Sequence, residues 1–117
     1  MDIKWKIAYY KTLQGSDPVY TFINGLAGRV KSKIINTIDL LEEFGIRLGL
    51  PHVKKLTGTS LWELRVLGGD NIRIFYVAIT GKFFLLLHAY QKKKQKTERK
   101  EIKIAIERLK EYISRPN

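Results

Sequence analysis

The C-terminal half of the chain contains a small set of side chains that could act together on a phosphate. Arg65 and Arg73 could clamp a phosphate between two guanidinium groups. His88 titrates near neutral pH and could carry a proton, while Tyr90 could stack on a base or orient a phosphate. A lysine run follows directly and adds positive charge: Lys92, Lys93, Lys94 and Lys96. This chemistry requires that the fold bring these side chains together.

Three segments with an alternating apolar pattern are predicted to form antiparallel strands: Leu61–Leu67, Ile72–Ile79 and Lys82–Tyr90. A two-residue turn at Thr80–Gly81 would place Ile79 opposite Lys82. In that register Arg73 lies opposite His88. One sheet face would then carry Arg73, Phe75, Val77, Phe84, Leu86, His88 and Tyr90. The other face, entirely apolar or aromatic, should meet the helices and would carry Ile72, Ile74, Tyr76, Phe83, Leu85 and Leu87.

The register of the first hairpin depends on the length of its loop. A loop of two or four residues would place Arg65 opposite Ile74, whereas one of three or five residues would place it opposite Arg73. The second register is favoured because the first would bury Glu63 and Arg65, which is costly. The side chains expected at one end of one face are therefore Glu63, Arg65, Arg73, His88 and Tyr90.

The remaining segments complete an α+β fold in the order β-α-α-β-β-β-α. They predict a strand at Ile3–Tyr10, a short helix that begins at Ser16-Asp17-Pro18, and a longer helix from about Arg29 to about Phe44. Val53–Leu56 could add a short strand, and Thr97 could cap a last helix. We expect a small, mainly antiparallel sheet flanked by two N-terminal helices and a C-terminal helix.

Each candidate side chain also has an ordinary structural explanation. The two arginines could pair with Glu63 and Asp70 across the sheet. A histidine at a strand end, such as His88, is more often structural than catalytic, and His52 is typical of a loop. A lysine run is usually a solvated loop. Only the convergence of two arginines, a histidine and the lysine run on one patch favours a functional site.

The composition excludes several kinds of site and indicates a polyanionic partner. The 117 residues include no cysteine, which excludes a disulfide scaffold, a thiolate zinc site and a cysteine nucleophile. With only two histidines, a zinc site is disfavoured. Lys and Arg number 22 against 11 Asp and Glu, and the resulting net charge of +11 suits nucleic acid, the ribosome or an acidic protein.

The N-terminus and the apolar runs predict a cytoplasmic protein that does not interact with a membrane. No apolar segment typical of a signal peptide follows Met1–Trp5. The apolar run Phe83–Leu87 is too short to cross a bilayer. The lack of cysteine agrees with a reducing compartment.

Three sequence blocks carry a family resemblance: Leu61–Arg65 (LWELR), Arg73–Tyr76 (RIFY) and Leu86–Lys93 (LLHAYQKK). The tail Lys96–Ile102, followed by Ala105, Arg108 and Tyr112, fits the same pattern. The chain resembles toxins of the RelE superfamily, in the phage-derived HigB-like branch of type II toxin–antitoxin systems. The resemblance covers most of the chain, which is expected to form a single domain over residues 1–117.

The resemblance implies a ribosome-dependent endoribonuclease that cleaves mRNA and inhibits translation. In such toxins the ribose 2′-OH attacks the adjacent phosphate, leaving a 2′,3′-cyclic phosphate or its opened product and a 5′-OH. That reaction needs a base, an acid and positive charge around the phosphorane, and neither a metal nor another cofactor. The implied partners are the ribosome, mRNA and a cognate antitoxin, often a helix-turn-helix protein, through which operator DNA would be contacted only indirectly.

The resemblance also implies roles for individual residues. Arg73 stands where related toxins keep a phosphate-binding arginine, and Arg65 where some place a catalytic lysine. Because arginine hardly deprotonates, His88 becomes the better candidate for the base. The expected catalytic residues are Arg65, Arg73, His88, Lys92 and Lys93. The expected RNA-binding residues are Lys54, Lys55, Tyr90, Lys94 and Lys96. Two other interpretations stay open: a non-catalytic basic module that binds RNA or DNA, and a phage-borne protein whose basic patch binds an acidic host protein.

Overall fold

The computed structural model describes residues 5–81, 83–95 and 98–116, which form a five-stranded sheet with helices on both faces. The elements are β1 (Lys6–Tyr9), α1 (Pro18–Asn24), α2 (Gly28–Phe44), a 3₁₀ turn (Gly45–Arg47), β2 (Val53–Lys55), β3 (Trp62–Val66), β4 (Ile72–Ile79), β5 (Phe83–Gln91) and α3 (Arg99–Ile113). The strands lie in the order β1-β5-β4-β3-β2. The predicted α+β fold is confirmed.

The sheet is mixed, and it has one strand more than the predicted element order. β1 runs parallel to β5, while all other neighbouring strands are antiparallel. The extra strand is β2, which pairs with β3 at the edge of the sheet and coincides with the short strand expected at Val53–Leu56. The predicted strand start at Ile3 and the predicted helix cap Thr97 lie outside the described residues.

The N-terminal helices form where their sequence signals place them. The Asp17 carboxylate accepts a hydrogen bond from the Tyr20 N–H, and Pro18 occupies the first turn of α1. α2 is capped at its C-terminus by Gly45, whose φ of +58° favours glycine. A side chain at this position would collide with the Trp5 ring, which stacks on Phe84. None of the helices in the described ranges is long and apolar enough to cross a bilayer.

Two apolar cores lie on opposite sides of the sheet. The first core joins α1 and α2 to one sheet face, and its buried helix residues are Val19, Ile23, Val30, Ile34, Ile38 and Leu41. The second core joins α3 to the other face, where Phe75, Val77, Leu85, Leu87 and Tyr90 surround Ala105. The face expected to be polar is therefore covered by a helix as well, because its strands also carry a continuous set of apolar side chains.

The turn between β4 and β5 is one residue longer than predicted. Ile79 pairs with Phe83, and its predicted partner Lys82 lies outside the described residues. A shift of one residue moves every side chain to the opposite face. Phe84 and Leu86 consequently belong to the first core, whereas Leu85 and Leu87 belong to the second, which reverses the prediction.

A β-bulge near Leu87 then shifts the register a second time. Beyond it Phe75 pairs with His88, and Arg73 pairs with Tyr90 rather than with His88. The predicted pairing of Arg73 with His88 is therefore wrong. The extra residue nevertheless returns His88 and Tyr90 to the face that carries Arg73, so the predicted sharing of one face is correct.

Candidate functional site

A depression of about 320 Å³ opens where β4 begins and β5 ends. We call it the basic cleft, and its walls are formed by Asn71, Arg73, Lys92, Lys93, Lys94 and Gln95. A backbone hydrogen bond of 2.7 Å from the Lys92 N–H to the Asn71 carbonyl joins the two sides. The structure thus places the predicted lysines beside Arg73. Lys96, the last predicted lysine, lies outside the described residues.

The loop between β3 and β4 supports one wall of the basic cleft. Val66 pairs with Ile72, so the loop has the odd length that the favoured register requires, and Gly68 and Gly69 take positive φ angles. The Lys33 ammonium of α2 binds the Gly68 carbonyl at 3.2 Å and the Asp70 carboxylate at 3.0 Å. These contacts fix the loop, and with it the wall, against α2.

Arg65 and Arg73 lie directly opposite each other on β3 and β4, as predicted. Glu63 accepts a hydrogen bond from Arg65 Nε at 3.0 Å and lies 3.9 Å from Arg73 Nε. The arginines therefore share Glu63, while Asp70 pairs instead with α2. The register was favoured because it would place Glu63 on a polar face. In the structure Glu63 is nevertheless only 2% exposed. Its burial follows from the helix that covers this face, which the alternating pattern did not reveal.

Three buried polar atoms around the arginines have no hydrogen-bond partner among the described residues: Glu63 Oε2, Arg73 Nε and the Tyr90 hydroxyl. Burial raises the pKa of Tyr90, and the nearby Glu63 carboxylate raises it further. Buried polar groups without partners are uncommon in proteins, and they need a ligand or water to satisfy them. We call Glu63, Arg65, Arg73 and Tyr90 the open cluster.

His88 belongs to a second group of polar side chains, which it forms with Glu101 and Arg108 of α3. Its Nε2 lies 2.7 Å from Glu101 Oε1, and its Nδ1 lies 3.2 Å from Arg108 Nη1. A guanidinium can only donate, so Nδ1 accepts and the proton resides on Nε2, which donates to Glu101. Arg108 also donates to the Leu87 carbonyl at 2.9 Å. We call His88, Glu101 and Arg108 the closed cluster, because both ring nitrogens are occupied.

The environment of the closed cluster favours a neutral imidazole. Burial lowers the pKa of His88, and the positive charge of Arg108 lowers it further, while the hydrogen bond to Glu101 acts in the opposite direction. The cation next to His88 was expected to be Arg73, but it is Arg108. The His88 ring also stacks on Tyr90, with ring centres 5.7 Å apart. Tyr90 thereby links the closed cluster to the open cluster.

Glu101 and Arg108 were not among the residues predicted from the sequence. A signal existed, because both lie on the apolar side of α3 with Ala105, where charged residues are expected to have buried partners. Their partner could not be named, since the pairing of His88 was wrong by two residues and the packing of α3 over its face was not predicted.

Lys54 and Lys55 fall on different faces of the sheet. Lys54 pairs with Glu63 and so shares the face of the open cluster, whereas Lys55 pairs with Trp62. The Lys55 ammonium lies over the Trp62 ring, 5.6 Å from its centre, and donates to the Thr59 carbonyl. Of these two predicted RNA-binding residues, only Lys54 lies on the same side as the arginines.

The arrangement supplies positive charge rather than a metal site. Within residues 5–81, 83–95 and 98–116 no group of three His, Asp or Glu side chains is placed to hold a metal ion. The guanidinium and ammonium groups of the cleft and the open cluster can bind the oxygens of a phosphate and stabilise negative charge that develops on it.

Comparison of the sequence with models of known protein families identifies the family of the chain. A family model described as phage-derived protein Gp49-like (DUF891) matches residues 21–110, which include both clusters and the basic cleft. A search of curated proteins finds no match. The matched segment is well over half of the chain. The protein therefore belongs to the Gp49-like family of phage-derived proteins, a toxin-like family.

Proposed function

We propose that this chain is the toxin of a type II toxin–antitoxin pair, of the RelE/HigB-like kind, and that it cleaves mRNA on the ribosome. The observation that carries the proposal is the open cluster, in which Arg65 lies opposite Arg73 and Arg73 also lines the lysine-rich cleft. Membership of a toxin-like family supports the same function. The substrate would be single-stranded RNA, whose backbone suits a cleft with this charge.

Cleavage would begin with attack of a ribose 2′-oxygen on the adjacent phosphorus. The 2′-hydroxyl proton passes to a base, the bond to the 5′-oxygen breaks, and that oxygen takes up a proton. The products are a 2′,3′-cyclic phosphate and a 5′-hydroxyl. Arg65 and Arg73 would stabilise the negative charge of the phosphorane through hydrogen bonds from their Nη nitrogens. Lys92 and Lys93, which line the cleft, would hold the backbone and protonate the leaving oxygen.

Two groups compete for the role of the base. His88 is neutral, but it can accept the 2′-hydroxyl proton only after Arg108 withdraws from Nδ1. Glu63 Oε2 has no hydrogen-bond partner among the described residues, but it is buried and neutralised by two arginines. Because one candidate base is occupied and the other is buried between two arginines, the reaction depends strongly on alignment of the 2′-oxygen with the phosphorus. We propose that the ribosome supplies it, which would confine cleavage to translated transcripts.

The ribosome and an antitoxin are the proposed partners. Lys54 and Lys94 are exposed and would contact ribosomal RNA on the side of the open cluster. A chain with a net charge of +11 would attract an acidic segment of the antitoxin. We expect the antitoxin to be a helix-turn-helix protein encoded next to the toxin, and any contact with operator DNA to pass through it.

The test is cleavage of a defined mRNA by the purified protein, with and without ribosomes paused on that message. We expect cuts only on the ribosome, with 2′,3′-cyclic phosphate and 5′-hydroxyl ends. Efficient cleavage of naked RNA by the pure protein, in the presence of a metal chelator, would contradict the ribosome dependence. Binding without any cleavage would favour the alternative, a non-catalytic RNA- or DNA-binding module, for which the occupied nitrogens of His88 are the supporting observation.

A further inference from the structure

Glu63 offsets the electrostatic repulsion between the two arginines of the open cluster. Like charges directly opposite each other on neighbouring strands repel, and Arg65 and Arg73 occupy such a pair. Glu63 precedes Arg65 by two residues on the same face, and it pairs with Phe75, so it lies diagonally across from Arg73. One carboxylate is therefore within reach of both guanidiniums.

The contacts of Glu63 use one particular nitrogen of each arginine. Its Oε1 accepts from Arg65 Nε at 3.0 Å and lies 3.9 Å from Arg73 Nε. The terminal nitrogens are left over: among the described residues Arg65 Nη1 and Nη2 make no hydrogen bond, and Arg73 uses only Nη1, at 3.2 Å from the Ile72 carbonyl. A guanidinium held through Nε keeps its Nη groups for other acceptors, such as phosphate oxygens.

We propose that Glu63 is a positioning residue: it holds Arg65 by a hydrogen bond to Nε and attracts the nearby Arg73 guanidinium by charge, which keeps the Nη nitrogens of both arginines for a bound RNA phosphate. The proposal rests on the proposed function for the identity of the phosphate. Its burial supports the assignment, because a carboxylate that is 2% exposed keeps its geometry and is screened little by solvent. Its neighbour Tyr90, which is also buried, closes the open cluster on the side of β5.

A simple neutralising role for Glu63 makes the opposite prediction. If the carboxylate only reduced the positive charge of the cleft, Glu63→Gln would add one net positive charge and strengthen RNA binding. If it positions the arginines, the same substitution weakens binding despite the added charge. The matched control is Glu43→Gln, since Glu43 is exposed at the end of α2 and its loss changes the net charge by the same amount.

The experiment compares the wild-type protein, Glu63→Gln and Glu43→Gln. The probe is a short single-stranded RNA with 2′-O-methyl groups, which cannot attack the phosphate, and its affinity is measured over a range of salt concentrations. We expect Glu63→Gln to bind about tenfold more weakly than the control, the effect of losing about one charge-assisted hydrogen bond. The Nε–H signal of Arg65 in NMR spectra should lose its protection from hydrogen exchange in this variant only.

An affinity of Glu63→Gln equal to or above that of Glu43→Gln overturns the proposal. Should Glu63→Gln fail to fold, Glu63→Asp replaces it: this variant keeps the charge but shortens the reach, so a several-fold loss of affinity against wild type supports positioning, and unchanged affinity refutes it. The function itself is judged separately by the product ends on the ribosome. A wild-type protein that binds the probe but cuts no message refutes cleavage and leaves the test of Glu63 valid.

Discussion

The closed cluster and the open cluster lie side by side on one face of the sheet, yet they differ in how completely their polar atoms are satisfied. In the closed cluster both ring nitrogens of His88 have partners, and Arg108 binds a backbone carbonyl as well. In the open cluster three buried polar atoms have no partner among the described residues. A fully satisfied network stabilises the fold, whereas an unsatisfied one keeps hydrogen-bonding capacity for a ligand or for water.

The difference follows from the elements that form each cluster. The closed cluster joins β5 to α3, so each of its charges finds a partner across an interface that packing has already formed. The open cluster lies entirely on β3, β4 and β5, next to the basic cleft. Among the described residues no helix side chain forms an ion pair with its two arginines, and their unused N–H groups can bind a phosphate.

Arg73→Ala should have the largest effect, because it removes the member of the open cluster that also lines the cleft. Loss of a charged contact to the phosphorane costs about 2–4 kcal/mol of transition-state stabilisation, or roughly 10²–10³ in rate. We expect growth arrest and ribosome-dependent cleavage to disappear while thermal unfolding stays close to wild type. Arg47→Ala, at an exposed position in the 3₁₀ turn, is the control and should remain toxic. A folded and fully toxic Arg73→Ala would remove Arg73 from the site.

His88→Leu should affect stability rather than cleavage. The substitution leaves the Glu101 carboxylate and the Arg108 guanidinium without their partner at an interface where both groups are largely buried. We expect the free energy of unfolding in urea to fall by about 1–3 kcal/mol, with cleavage on the ribosome within a few-fold of wild type. The reverse pattern, a loss of roughly 10²–10⁴ in rate with unchanged stability, would make His88 the proton carrier and end the distinction between the clusters.

The pH dependence of stability should also trace to the closed cluster. The pKa of His88 is lowered by burial and by Arg108, so below about pH 6.5 the unfolded chain binds a proton that the folded protein resists. The free energy of unfolding should therefore fall as the pH decreases below 6.5, by at most about 1.4 kcal/mol per pH unit from this group. His88→Gln, which retains hydrogen-bonding capacity but does not titrate, should flatten the profile between pH 7.5 and about 5.5. An identical slope in this variant would assign the effect to other groups.

The same contrast explains which parts of the molecule were predictable from the sequence. The helices and the first core follow from apolar residues at helical spacing, such as Ile34 and Ile38, and from the cap at Asp17. The register of the β3–β4 hairpin was predictable because the alternative turned Arg65 into the core. Here a charge indicated which side of the strand faces away from the first core.

No charged residue indicated the register of the β4–β5 pairing. Between Ile74 and Leu87 both strands are apolar on both faces, so a shift of one residue leaves the pattern equally plausible. The bulge at Leu87 has no sequence signal of its own. The partners of His88 depended on this register and on the packing of α3. The open cluster was predicted more accurately because its two arginines belong to the β3–β4 hairpin, whose register followed from the charge of Arg65.

The smallest expected effect concerns the lysines of β2, which test whether the face of the open cluster matters beyond its centre. Lys54 shares that face, and Lys55 lies on the opposite one over Trp62. In a plot of the logarithm of RNA affinity against the logarithm of salt concentration, each lost phosphate contact reduces the slope by about one unit. We expect Lys54→Gln to weaken binding to ribosomes about two- to threefold and to reduce the slope accordingly, with Lys55→Gln, an equal change in charge, indistinguishable from wild type. Equal losses in both variants would mean that the net charge of the chain, and not this face of the sheet, attracts the RNA.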